Sequence, residues 1–322
     1  MVTAITLCCA LIGGTAAYAL WALAAWQHGF NAWMLIAGAP LLYLAIVAVI
    51  TILAFAMAWR YRSRRPPEVE LGMTATARLF GQEFVTLAGS APRMGFGWWM
   101  MREPRLPVPA ATPVLLVHGV LCNAGVWLGM RGALRRSRVG PIFTLSYGPP
   151  LASIERFADQ LKVRVDQVLA ATGAPKVALV GHSMGGLVAR DYLRRHGARR
   201  VERLITIATP HAGSMLAWVC PGISLRQLRP GNRWLESLNA AGAPLVPTTS
   251  IWSWHDSMVA PQDSSILPGA RNIAVAGVGH NAMLRDQAVT RIVAAELLRP
   301  LADTPPLRAA TPFEQLPVNT LR

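Results

Sequence analysis

From Met1 to Trp59 the chain contains no Asp, Glu, Lys or Arg; the first charge is Arg60. Soluble domains carry a charge at roughly one residue in four, so a stretch of this length is not an ordinary water-facing surface. Residues 2–26 and 32–59 are each long enough to cross a bilayer as a helix, which takes about 20 apolar residues. The connector between them, Gln27-His28-Gly29-Phe30-Asn31, is short and polar. Trp26 and Trp33 flank it, and Trp59 and Tyr61 mark the far end; amphipathic aromatics favour the membrane interface. Small residues such as Gly13, Gly14, Ala17, Gly38, Ala45 and Ala48 would let two helices approach closely, and Pro40 is placed to kink the second. The pattern predicts a transmembrane helical hairpin over 1–65. A cleaved signal peptide is the competing reading of the first run, but no basic segment precedes it and a second span follows at once.

The formal net charge of +15, from 31 Lys+Arg against 16 Asp+Glu, therefore falls entirely on the residues from Arg60 onward. With 53% hydrophobic residues among 322, the chain is not a disordered one. Nearly all the cations are arginines, many in short pairs such as Arg135-Arg136 and Arg194-Arg195. Those pairs read as solvated helix faces; a nucleic-acid surface would call for basic runs interleaved with aromatics, and no nucleic-acid partner is expected. Arg60, Arg62, Arg64 and Arg65 differ because they follow an apolar span directly. The positive-inside bias assigns them, the N-terminus and the large C-terminal region to the cytoplasm, as expected of an integral membrane protein. They could also rest against anionic head groups, so the bilayer is the expected partner. Cys8, Cys9, Cys122 and Cys220 form no metal-like spacing, which argues against a zinc site or disulfide framework.

Residues 66–111 read as a linker and first strands, with a weak strand at 83–87. Beyond them the pattern becomes regular. Short apolar runs at 114–117, 141–145, 177–180, 203–208, 250–254 and 272–276 alternate with helical spacing at 154–171, 187–196 and 282–298. Ser153 is a candidate N-cap, and Gly173 and Gly197 are candidate stops. Such alternation predicts a mostly parallel sheet covered by helices on both faces, here over 112–299. The Pro-rich tail, 300–322, is expected to be loosely ordered.

The third apolar run leads into Gly181-His182-Ser183-Met184-Gly185, with a helix after it. A serine nucleophile must sit on a sharp turn so that its hydroxyl stands above the sheet, and residues two before and two after it come too close to its backbone to carry side chains. Ser183 fits that requirement. The helix starting at Met184 would point free amides at a developing oxyanion. His118-Gly119-Val120-Leu121 follows another strand, and the Val120 amide would complete an oxyanion hole with that of Met184. His118 itself reads as a structural histidine.

The base must follow the acid, and the acid the serine. Of the later histidines, His196 ends the nucleophile helix, His211 reads as a loop brace, and His255 has no acid before it in the right place. His280 lies between the last strand and the last helix, where a base belongs. Asp256 follows the fifth strand directly and is the candidate acid, with Asp263 as runner-up; Asp191, Glu202 and Glu236 are badly placed.

These residues resemble the bacterial lipase and esterase branch of the α/β-hydrolases. Val-His-Gly at 117–119, Gly-His-Ser-Met-Gly at 181–185, Ala-Thr-Pro-His-Ala-Gly-Ser at 208–214, Asp-Ser-Met-Val-Ala-Pro at 256–261 and Gly-His-Asn-Ala-Met-Leu at 279–284 match its pattern in order. Leu228-Arg229-Pro230-Gly231-Asn232 resembles lipase-like and inositol-deacylase-like members. The resemblance covers about 112–298. It implies an α/β-hydrolase fold, with Ser183, Asp256 and His280 as triad and the Val120 and Met184 amides as oxyanion hole. Paired membrane helices are not part of the secreted lipase pattern. The calcium-binding acids of some secreted lipases have no match, so neither metal nor cofactor is expected.

Residues 214–249 form a long insertion in which Met215, Leu216 and Trp218 belong to a compact apolar patch. It reads either as a lid or as the core packing of a short helix. With Leu121 and His182, those three are the candidate substrate-binding residues. The hairpin favours a lipid or long-chain acyl ester as substrate. An acyltransferase or thioesterase on the same triad, or a non-catalytic membrane-tethered scaffold, is the alternative.

Overall fold

In the computed structural model, residues 2–101, 103, 112–219, 221–301 and 314–315 are described. The chain opens with helices α1 (Val2–Gln27) and α2 (Ala32–Arg60), which coincide with the two apolar runs. Asn31 caps α2 by accepting from the Trp33 amide at 2.9 Å, and α2 continues through Pro40. The Tyr18 hydroxyl donates to the Leu35 carbonyl, crossing from α1 to α2 where Gly38 leaves room for it. Among the described residues, only α2 has the length and hydropathy of a membrane span, with 29 residues and a mean hydropathy of 2.7. Two spans are thus expected from the sequence and one is supported here.

Within the segment expected to hold a linker and first strands, the weak strand expected at 83–87 is helical instead, and residues 102 and 104–111 lie outside the described residues. Helix α3 (Met73–Ala88) runs through 83–87, and α4 (Ser90–Met100) follows it. The residues α3 buries are Leu79, Glu83 and Thr86, a spacing of four and three that belongs to a helix. The β-branched and aromatic residues that suggested a strand are overridden by that packing. Tyr43 donates to the Ala88 carbonyl at 2.6 Å, and Phe55 meets Phe80 at 5.8 Å, fastening α2 to α3.

From β1 (Val114–Val117) the regular alternation begins: α5 (Leu128–Arg136), β2 (Ile142–Leu145), α6 (Ile154–Thr172), β3 (Val177–His182), α7 (Met184–His196) and β4 (Val201–Ile207). Two short helices, α8 (Ile223–Gln227) and α9 (Arg233–Ala240), precede β5 (Thr248–Ser253), β6 (Arg271–Val275) and α10 (Gln287–Leu298). Ser153 does cap α6, and Gly173 ends it in the left-handed region at φ 68°. The last predicted helix splits into a tight turn at Ala282–Leu284 and α10, because Asp286 caps α10 afresh by accepting from Val289 N. Two tail residues form β7 (Glu314–Gln315), paired in parallel with β6; the rest of the tail beyond 301 lies outside the described residues.

All seven strands pair in parallel in the order β2-β1-β3-β4-β5-β6-β7. Strand residues point alternately to the two faces. Leu115 and Val117 join one core with α6, α7 and α9, whereas Val114 and Leu116 join another with α5 and α10. The strand order reverses at β1 and β3. In open parallel sheets, ligands bind beyond the carboxyl ends of strands at such a reversal, and the loops there begin at His118 and Ser183.

Candidate active site

Ser183 sits between β3 and α7 at φ 54°, ψ −129°. Positive φ is uncommon for a residue with a side chain and marks a strained turn. The surroundings hold it. Its amide donates to the Ile207 carbonyl at 2.8 Å, and its carbonyl accepts from the Thr209 hydroxyl at 2.9 Å. A side chain on Gly185 would collide with the Val117 and His118 carbonyls, and one on Gly119 would come within 2.9 Å of Ser183 Cβ. The loop after β1 is therefore pressed against the serine. The Val120 and Met184 amides lie in these two loops, and among the described residues neither donates a hydrogen bond.

His280 and Asp256 are both buried. Asp256 accepts from His280 Nδ1 at 3.0 and 2.9 Å through its two carboxylate oxygens. Its Oδ1 also accepts the Met258 and Val259 amides at 2.7 Å, closing a turn that fixes the carboxylate. With the hydrogen on Nδ1, Nε2 of His280 is left as the proton acceptor. Burial alone would lower the His280 pKa; the charge and hydrogen bond of Asp256 outweigh it, Glu83 adds to them, and the imidazole stands above the ordinary histidine value. His182, next to the serine, donates from Nε2 to the His280 carbonyl at 3.2 Å, and their rings lie 4.8 Å apart. Burial, reinforced by His280, pushes the His182 pKa well down, so it is a neutral spacer between the serine and base loops.

His118 accepts from the Tyr147 amide and stacks on its ring at 4.0 Å. Burial lowers its pKa to about 4, in keeping with a structural histidine. His211 bridges Arg190 and Thr206 at 3.2 and 3.1 Å, as a brace would. Asp263, the runner-up acid, lies in a short turn where its amide donates to Ser63, and Asp191 is engaged by Arg194 at 2.6 Å. Burial pushes the Cys122 thiol up to about 12, so it offers no competing nucleophile.

The stretch 208–214 serves both loops. Thr209 clamps the serine, and Ser214 accepts from Ala260 N at 3.1 Å while donating to the Met258 carbonyl at 2.8 Å, on the acid loop. Within the insertion, α9 buries Leu235 and Leu238 in the core. The turn at Met215–Trp218 lies against α2, and Trp218 is 56% exposed with Arg229 stacked at 4.3 Å. Leu121, at φ 54°, is likewise exposed beside the serine loop. Insertion residues thus divide between core and surface.

One residue in this network has no counterpart among the sequence candidates. Glu83 of α3 is 1% exposed. Its Oε1 accepts from Ser257 Oγ, Asn281 N and Asn281 Nδ2 at 2.9, 2.9 and 2.8 Å; its Oε2 accepts from Ala282 N at 2.9 Å. It therefore holds the loops of both acid and base. The available signal was the helical spacing of Leu79, Glu83 and Thr86.

The family profile of the PGAP1-like alpha/beta domain matches residues 153–244. A mature lipase from Bacillus licheniformis superposes with a TM-score of 0.54 at 18% identity, covering 61% of this chain and 96% of that one. The α/β-hydrolase fold is established. Lipase B of Aspergillus fumigatus superposes on this chain with a TM-score of 0.53 at 22% identity, covering 59% of this chain and 53% of that one. A triacylglycerol lipase of Pseudarthrobacter phenanthrenivorans is 36% identical over 122 residues, covering 33% of this chain and 35% of that one. The chain is lipase-like in sequence, and it spans about a third of the length of the curated relatives it matches.

Proposed function

We propose that this α/β-hydrolase is a membrane-anchored serine hydrolase that cleaves carboxylic esters, with lipid or long-chain acyl esters as its substrates. The observation that carries the reading is a buried His280–Asp256 pair tied through His182 to a serine on a strained strand-to-helix turn. Ser183 Oγ attacks the ester carbonyl carbon while His280 Nε2 takes its proton. Asp256 keeps the imidazole in the correct tautomer and stabilises its cation. The Val120 and Met184 amides receive the oxyanion. As the tetrahedral adduct collapses, His280 returns the proton to the departing alkoxide, leaving an acyl-enzyme on Ser183. Water attacks the acyl carbon, its proton passes to His280 and then to the serine oxygen, and the acid is released.

The anchor is α1 and α2 together, with both ends of the hairpin on the cytoplasmic side. Leu42, Ile46, Ile50 and Leu53 stand exposed along α2, as lipid-facing residues would. The exposed Trp218 and Val219 adjoin the Met215–Trp218 turn, which lies against α2; a substrate leaving the bilayer would meet this surface first. Turnover of p-nitrophenyl esters of increasing chain length, with a phospholipid and a triglyceride beside them, tests the assignment. Long-chain preference is the expected result, and a sharp preference for acetyl or butyryl esters overturns the lipid part. A reporter active only outside the cytoplasm, fused after Arg322, should remain silent.

A further inference from the structure

Beside the acid loop is a cavity of about 800 Å³ whose wall includes His255 and Asp256 but neither Ser183 nor His280. It lies apart from the reacting atoms, and nothing in the proposed hydrolysis uses it. Its walls combine two chemistries. Arg62, Arg64 and Arg65, which follow α2 directly, line it together with Phe55, Trp59 and Phe80 from α2 and α3, and the Arg62 guanidinium lies over the Trp59 ring at 4.9 Å. The carboxylates on the wall are Glu70 and Asp256, and Asp256 is already engaged by His280 and two amides.

Two residues of this wall carry buried donors that lack acceptors among the described residues. His255 is 3% exposed. Its Nδ1 accepts the Gly277 amide at 3.1 Å, so the ring hydrogen is on Nε2, and that atom has no partner. Nε of Arg65 is also buried and unpartnered. Buried polar groups are almost always hydrogen-bonded, and each exception calls for a cause. Guanidinium groups are matched to phosphate oxygens in geometry and charge.

We propose that this cavity binds an anionic phospholipid, its phosphate held by the guanidinium groups of Arg62, Arg64 and Arg65 and its acyl chain along Phe55, Trp59 and Phe80. The arginines sit where a span would leave the bilayer, so the head group and chain have their sources in place. The site is wired to the acid loop. The Ser63 amide donates to Gln262 Oε1 at 3.0 Å, Ser63 Oγ accepts from the Asp263 amide at 2.9 Å, and Gln262 Nε2 donates to the Asp256 carbonyl at 3.1 Å. The lipid is thus a ligand of the loop that carries the acid, distinct from any ester cleaved at Ser183, and its binding needs no turnover.

The test is native mass spectrometry of the full chain, delipidated in detergent and titrated with phosphatidylglycerol, phosphatidylcholine of the same chains, and inorganic phosphate. Phosphatidylglycerol should be retained about tenfold more tightly than phosphatidylcholine, and inorganic phosphate far more weakly than either. The triple variant R62Q/R64Q/R65Q should lose the preference, while R135Q/R136Q on α5 should keep it. Glu70→Gln removes a competing carboxylate and should tighten phosphatidylglycerol several-fold, which guards against a triple variant that merely fails to fold. Equal retention of the two lipids, a preference that survives the triple variant, or an E70Q protein with unchanged or weaker binding overturns the proposal. Phosphate binding as tight as phosphatidylglycerol overturns its lipid part.

Discussion

Asp256 and Glu83 are both buried carboxylates that hold the loop of His280, and they reach it from opposite ends of the chain. Asp256 stands just past β5, touches the imidazole itself, and belongs to a row of short motifs set at strand ends. Glu83 comes from a helix near the N-terminus, touches only the backbone and side chains around the base, and carries no motif. The region from β1 to α10 supplies the candidate reacting groups. The region from α2 to α4 supplies a support that reaches into the same loops and also carries the arginines beside the acid. A sheet can thus carry every candidate group at its strand ends while the segment before it buttresses the loops that hold them.

Substitutions should rank by this division. Ser183→Ala removes the nucleophile and should lower kcat by a factor on the order of 10⁶, measured on p-nitrophenyl esters; retained turnover would place the chemistry elsewhere. Asp256→Asn should cost about 10⁴-fold in kcat by leaving the wrong histidine tautomer. It should also move the acid limb of kcat/KM. The base works only when neutral, so activity rises with pH through the His280 pKa. Asp256 holds that pKa above the usual 6.5, and the limb should shift to lower pH in D256N. Glu83→Gln sharpens the contrast. It keeps the shape but loses a charge that raises the His280 pKa and an acceptor for Asn281 or Ala282. A loss of up to about 10²-fold is expected from misplacement alone, carried by kcat more than KM, with the acid limb again displaced to lower pH. A purely structural role would lower thermal stability and leave the pH profile where it was. The smallest effect lies far from either carboxylate. Ser153→Ala removes the α6 cap, whose hydroxyl accepts from Arg156 N at 3.3 Å, and should cost about 1 kcal/mol of stability, read as a fall in Tm with activity unchanged.

The sheet region was legible because its demands are local. A parallel strand buried on both faces needs a run such as 177–180, a nucleophile turn excludes side chains at 181 and 185, and a helix end shows in Gly173. The candidate acid and base could be read from the sequence because each follows a strand. The strand expected at 83–87 is a helix for a physical reason. Phe84, Val85 and Thr86 have strand propensities, and helix α3 exists because its buried stripe packs against α2 and the base loop, contacts that no short window contains. Glu83 was missed with it, since one acid in an apolar helix acquires meaning only from Ser257 and Asn281, 174 and 198 positions away. The two tail residues that extend the sheet at β7 escaped notice in the same way, being two strand residues in a Pro-rich stretch.

The central claim is that Ser183 is an activated nucleophile. A fluorophosphonate probe applied to the purified full chain, with the modified peptide mapped by mass spectrometry, tests it most directly. The account predicts a single covalent adduct on Ser183, absent from S183A and strongly slowed in D256N. Folded protein that takes up no probe, or carries the adduct on another residue, would contradict it.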